Sequence, residues 1–141
     1  MQSATSNNIT QNKTESNIVI DNQKALAIYE KYVSGWGPIS DDERAKITAE
    51  ILDEHIQYIT PRHEIGGRAT AIEDMKAFQK KFPGGHFEVR DVSAHHNVAL
   101  LTWDIMQADG KSFAKGHDQI SISKEGKILS LITFAPSVST P

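Results

Sequence analysis

From Phe87 onward, apolar and polar residues alternate with a period of two, in runs near Phe87–His95, Val98–Gln107, Ser112–Ser123 and Lys127–Ala135. That period marks half-buried strands, and its extent commits the C-terminal part of the chain to a sheet. Asp109-Gly110 and Glu125-Gly126 separate successive runs. Both dipeptides favour tight hairpins, because glycine accepts the left-handed backbone that such turns need. The expected product is a long antiparallel meander with one apolar face to cover.

The cover lies upstream. Ala25, Leu26, Ile28, Tyr29, Tyr32, Val33 and Trp36 fall on one broad helical face, and Gly35, Gly37 and Pro38 end that helix. Ser40-Asp41-Asp42-Glu43 has the spacing of a capping box and opens a second helix with an Ile47, Ile51, Leu52 stripe. Thr70-Ala71-Ile72-Glu73 has the same spacing and opens a third, continued by Met75, Phe78 and Phe82 and stopped by Pro83-Gly84-Gly85. Between them His55 to Thr60 alternates as a short strand, and Gly66-Gly67 turns the chain. The fold class is α+β, with helices on one face of a curved antiparallel sheet.

The 141 residues suit one domain. Residues 1–22 are rich in Asn, Ser, Thr and Gln and are expected to form a disordered polar tail, in which Ile18 to Ile20 could dock as a short strand or helix lead-in, with the domain at 23–136 and a short C-terminal tail at 137–141. Fifteen basic against 18 acidic residues give a net charge of −3, which argues against a nucleic-acid partner. There is no cysteine, so disulfides, thiolate catalysis and thiolate zinc sites are excluded. No apolar run approaches the ~18 residues of a membrane span, and the N-terminal segment lacks the pattern of a secretory signal, so a cytoplasmic location is expected. No Gly-x-Gly-x-x-Gly, phosphate loop or nucleophile elbow is present, and the six histidines lack ligand spacing. The expectation is a protein without cofactor or metal.

Two-residue loops would fix the register. A loop at Asp109-Gly110 pairs Leu101 with Asp118 and Trp103 with Gly116; one at Glu125-Gly126 pairs Ile120 with Leu131 and Asp118 with Thr133. One face then carries Leu101, Trp103, Ile105, Asp118, Ile120, Ile122, Leu129 and Leu131. A bulge would shift a strand by one residue, and the last strand is the most sensitive, because Ile128, Ile132 and Phe134 are also buriable. Asp118 is thus a lone acid among apolar neighbours, and burial there would raise its pKa. It is either a general acid or hydrogen-bond donor, or a structural group bonded to Thr133 or Arg90. A two-residue loop at His96-Asn97 would place Arg90 opposite Trp103 on this face and His96 at the strand end of the same face, as a base candidate. Tyr32, Trp36, Tyr58 and Trp103 are large amphipathic groups suited either to line a cavity or to pack the core. Tyr58 shares its strand face with Ile56 and Thr60.

The run Leu52-Asp53-Glu54-His55-Ile56-Gln57-Tyr58-Ile59-Thr60-Pro61, then Gly67-Arg68, together with Trp103, Gly116-His117-Asp118 and Glu125-Gly126-Lys127-Ile128, resembles the nuclear transport factor 2-like superfamily, specifically its SnoaL-like and ketosteroid-isomerase-like branch. The resemblance spans about Lys24 to Pro136. It implies a cone-shaped roll of the cystatin-like kind, a curved sheet wrapped around three helices with an internal pocket, and homodimers formed through the outer sheet face. It also implies that Asp118 matches a cavity carboxyl used as acid or oxyanion-hole donor. The isomerase branch has a carboxylate base just before the proline of the first strand; here that position is Thr60, which cannot take a proton from carbon at neutral pH. The expected function is a small-molecule pocket protein, catalysing cofactor-free proton transfer on an apolar or aromatic substrate with Asp118 and His96 as acid and base, and Tyr32, Trp36, Tyr58, Thr60, Arg90 and Trp103 around the ligand. The alternative is a non-catalytic binding or dimerisation module of the same fold.

Overall fold

A computed structural model of the protein describes residues 19–136. The expected tails at 1–18 and 137–141 lie outside the described residues. Ile20 to Asn22, placed in the tail by composition, are part of the fold. Ile20 is buried, and its N–H donates to the His96 carbonyl at 2.8 Å. Asp21 caps the first helix by accepting from the Lys24 N–H, and the Asn22 side chain accepts from the Ala94 N–H.

Three helices and five strands follow, in the order α1 Asn22–Ser34, α2 Asp41–Ile51, β1 Leu52–Ile59, α3 Arg68–Lys81, β2 His86–His95, β3 Val98–Met106, β4 Ser112–Ile122 and β5 Ile128–Phe134. The capping box at Ser40 forms, with Ser40 and Glu43 each accepting the other's backbone N–H. The one expected at Thr70 does not. Helix α3 starts two residues earlier, at Arg68, and the Thr70 hydroxyl accepts instead from the Gly67 N–H. Arg44 fixes the α1–α2 connection from inside. Its buried guanidinium donates to the carbonyls of Gly35, Gly37 and Ile39 and to Asp41, so the chain leaving α1 toward Trp36 has one course.

The sheet is mixed, curved and unclosed, in the order β1-β5-β4-β3-β2. The expected antiparallel meander covers β2 to β5; β1 joins its edge in parallel to β5. The core lies between the helices and the inner sheet face, where Leu101, Ile120, Ile122, Ile128 and Leu131 are fully buried.

The expected pairs Leu101–Asp118, Trp103–Gly116, Ile120–Leu131 and Asp118–Thr133 all form. The loops that produce them differ from expectation. Gln107 N–H bonds to Lys111 O, and Ser123 N–H to Lys127 O, so each hairpin has three loop residues and ends on a left-handed glycine, Gly110 or Gly126. A bulge beside each loop, at Phe113 and at Leu129, restores the register. The cost of the second is local: Ile128 takes the core place expected for Leu129, which is half-buried. The His96-Asn97 loop does have two residues, but a bulge at Arg90 sets Val89, not Arg90, opposite Trp103. Bulges increase strand twist, and these three on β2, β4 and β5 bend the sheet around the helices. Among the described residues no helix is long and apolar enough to cross a membrane.

Candidate functional site

Curvature leaves a cavity of about 230 Å³ between α1, α3 and the inner sheet face. Helix periodicity sets one wall. Tyr29 and Tyr32 are three residues apart on α1, so both face inward, and the Gly35–Gly37 turn brings Trp36 after them. Rings then follow one another at contact distance: Tyr29–Tyr32 with centroids 5.7 Å apart, Tyr32–Trp36 6.4 Å, Trp36–Phe87 5.0 Å and Phe87–Trp103 5.2 Å. Both ends of this arc meet Asp118. The Tyr29 hydroxyl donates to Asp118 Oδ2 at 2.5 Å, and Thr133, the cross-strand neighbour, donates to Oδ1 at 2.7 Å. The Trp103 indole N–H faces the same carboxyl closely enough to favour its charged form, though the contact falls short of a well-formed hydrogen bond.

Burial dominates the electrostatics of Asp118. Desolvation pushes the carboxyl above its usual range, against the opposing pull of Tyr29, Thr133, Trp103 and His117. Asp104 shows the contrast one strand away. Burial alone would raise it too, but donation from Ser112 and Arg90 overcomes that and holds its carboxyl below the usual range.

A second carboxyl lies on the opposite wall. Asp74, on α3, accepts from Tyr58 at 2.8 Å and from Arg62 at 3.3 Å, and its other contact is His63 Nε2 at 3.1 Å. Thr60, Pro61 and Arg62 extend this wall to the cavity edge.

Six of the eight residues singled out by sequence line this cavity: Asp118, Tyr32, Trp36, Tyr58, Thr60 and Trp103. His96 does not. It is the exposed turn residue between β2 and β3, with φ 51°, stacked edge-on against His95. Arg90 does not either. The bulge carries it off the inner face, and it pairs with Asp104 at 3.1 Å instead of Asp118. Sequence reasoning did not single out Tyr29, Thr133 or Asp74 for the site. Asp74 had a signal: it is three residues after Ala71 and four before Phe78, so it shares their buried helical face.

All three tyrosines of the chain line this cavity. Burial, then the nearby Asp118 charge, pushes Tyr29 and Tyr32 well above the ordinary phenol range; burial, then Tyr32 and Asp74, does the same to Tyr58. The unfolded chain then releases phenol protons that the native state holds, so stability falls as pH rises past about 10. Absorbance titration of native protein should show no tyrosinate through that range, and all three phenols should ionise together at alkaline unfolding. A reversible native titration near pH 10 would contradict their burial.

No family model and no curated protein sequence matches the chain. Solved structures do. A protein of the SnoaL-like family from Agrobacterium tumefaciens, named as a candidate isomerase, superposes with a TM-score of 0.73 at 24% identity, over 82% of this chain and 99% of that one. A nuclear transport factor 2-like protein of unknown function from Exiguobacterium gives 0.62 at 14% identity, over 79% and 99%. A candidate polyketide cyclase from Bacillus cereus gives 0.65 at 15% identity, over 79% and 73%. The chain therefore has the nuclear transport factor 2-like fold, and its neighbours include SnoaL-like and ketosteroid-isomerase-like proteins.

Proposed function

We propose that this protein binds a small, largely apolar ring compound in the cavity and acts on it by cofactor-free proton transfer, with Asp118 as the acid. The observation that carries the reading is the Asp118 carboxyl, raised by burial and placed where an arc of five aromatic rings closes. A carboxyl that keeps its proton to higher pH than usual suits general-acid chemistry. Size limits the ligand. An apolar cavity of ~150 Å³ holds benzene, so this one suits one or two rings. The candidate isomerase and cyclase neighbours fit such chemistry.

Two observations favour a second reading, binding without turnover. Thr60 stands where the isomerase branch carries its base, and both Asp118 oxygens already accept a hydrogen bond. Protein purified from its native host, analysed for co-purifying small molecules and then assayed for their conversion, separates the two. A ring compound retained and turned over supports the first; one retained unchanged supports the second. Both tryptophans line the cavity, so any occupant should also alter intrinsic fluorescence.

We also propose that the outer sheet face pairs two copies of the chain. Across β3, β4 and β5 two of its rows carry no charged residue, Leu100–Gln119–Ile132 and Thr102–His117–Phe134. Leu100 and Phe134 are 48% and 54% exposed. Light scattering at micromolar concentration should give a dimer, and Phe134→Glu should give a monomer. A monomeric wild type would remove the proposal.

A further inference from the structure

Among the described residues that line the cavity, Arg62 carries the one cationic side chain. The turn after β1 pins it at the edge. Thr60 and His63 exchange backbone N–H bonds across that turn, at 3.0 and 3.1 Å, and the Arg62 N–H donates to the Thr60 hydroxyl at 3.2 Å. The guanidinium meets Asp74 through Nη2 at 3.3 Å, and the side chain stays 72% exposed. Asp74 does not depend on that long contact. Its Oδ2 accepts from the Tyr58 hydroxyl at 2.8 Å, and its Oδ1 also meets His63 Nε2 at 3.1 Å. A guanidinium has five N–H donors in a planar fork, so among the described residues most of this one is uncommitted, at the edge of a cavity walled mainly by rings.

We infer that the ligand is a ring carboxylate, with its ring against the aromatic arc and its carboxylate left at the cavity edge on the Arg62 fork. A planar carboxylate matches that fork through paired N–H···O bonds. The two walls then orient the ligand. Around Asp118 stand rings and two hydroxyls already donating to it, and no cation, so an anionic group would lose its water there without compensation. At Arg62 it keeps both a cation and solvent. The chain carries a net charge of −3, so no general field draws anions in, and the selectivity rests on this one side chain. Arg62 is a specificity-determining residue on the wall opposite the proposed acid. The inference rests on the pocket reading above and narrows it to anionic ring compounds.

Two probes of one shape test it at neutral pH, 2-naphthoate and 2-naphthamide, which differ in charge. Titration calorimetry should give wild-type protein a preference for naphthoate of about tenfold, the low end for a charge-assisted hydrogen bond because the site is exposed. Arg62→Gln should remove that preference and leave naphthamide affinity within about twofold. The variant keeps the fold, because the Arg62 side chain is mostly exposed and meets Asp74 alone. Both tryptophans line the cavity, so a ¹⁵N-labelled sample reports where the probes sit, and each should move the two indole N–H signals. Equal affinity for the two probes, a preference that survives in Arg62→Gln, or naphthoate binding that moves neither indole signal overturns this inference and leaves the pocket reading standing. If neither probe binds at millimolar concentration, the pocket reading falls and takes the inference with it.

Discussion

Replacing Gly116 with alanine should destabilise the protein by about 3 kcal/mol and lower its melting temperature by roughly 10 °C. The reason is geometric. A Cβ at 116 would lie 2.3 and 2.5 Å from Trp103 Cζ2 and Cη2, and 2.7 Å from the Phe134 carbonyl oxygen. The indole is held by Phe87 on one side and buried to 4% exposure, so it can retreat only by giving up that packing and moving into the cavity. Backbone on β5 is the other obstacle, and it belongs to the sheet. Gly116 φ is not in the left-handed region, so close approach alone, not backbone freedom, explains the glycine. Thermal unfolding measures the loss, and a red-shifted tryptophan emission should accompany it. The double variant Gly116→Ala, Trp103→Leu should recover part of the stability lost to the ring clash, a non-additivity expected of residues in contact. Simple additivity would show that Trp103 is not what excludes a side chain at 116.

That contact was legible in the sequence, though for a partly mistaken reason. Two-residue loops at Asp109-Gly110 and Glu125-Gly126 predict the pairs Trp103–Gly116 and Asp118–Thr133, and both form. The actual loops have three residues, and a bulge at Phe113 or Leu129 cancels the extra one. Both turn types use a left-handed glycine, so the dipeptide marks the turn without choosing its length. The cancellation has a physical basis. A one-residue slip would turn Leu101, Trp103, Ile120 and Leu131 out of the core, so burial enforces the register that the turn leaves open. No such force acted on Arg90. A bulge there moves a charged side chain off the inner face, and without a glycine the local sequence gives no sign of it. The same holds for His96, whose strand-end position became a left-handed turn. Asp74 was obscured by the apolar stripe of α3, because an acid on a buried helical face is read as an interruption until its partners Tyr58 and His63 are known.

With Asp118 as the proposed acid, Asp118→Asn should lower turnover by a factor of about 10² to 10⁴, while ligand binding stays within a few-fold of wild type. The amide keeps the shape of the carboxyl. It can accept from one hydroxyl and donate to the other, so Tyr29 and Thr133 both retain a partner. Alanine would strand both hydroxyls and cost about 2–4 kcal/mol, which makes asparagine the informative change. Stability against pH then tests the electrostatic premise without a substrate. The folded state holds the Asp118 proton more tightly than the unfolded chain, because burial raises the carboxyl. Its contribution to stability is full below the ordinary carboxylate value of about 4 and is lost as pH rises through the raised native value. Asparagine does not titrate, so wild-type stability minus variant stability should fall with rising pH across that window and level off above it. Denaturant unfolding from pH 4 to pH 8 measures the difference. A rise would mean that Tyr29, Thr133 and Trp103 outweigh desolvation and hold Asp118 as a permanent carboxylate. Asp118 would then be a structural acceptor with no proton to give, and the cavity a binding site without an acid.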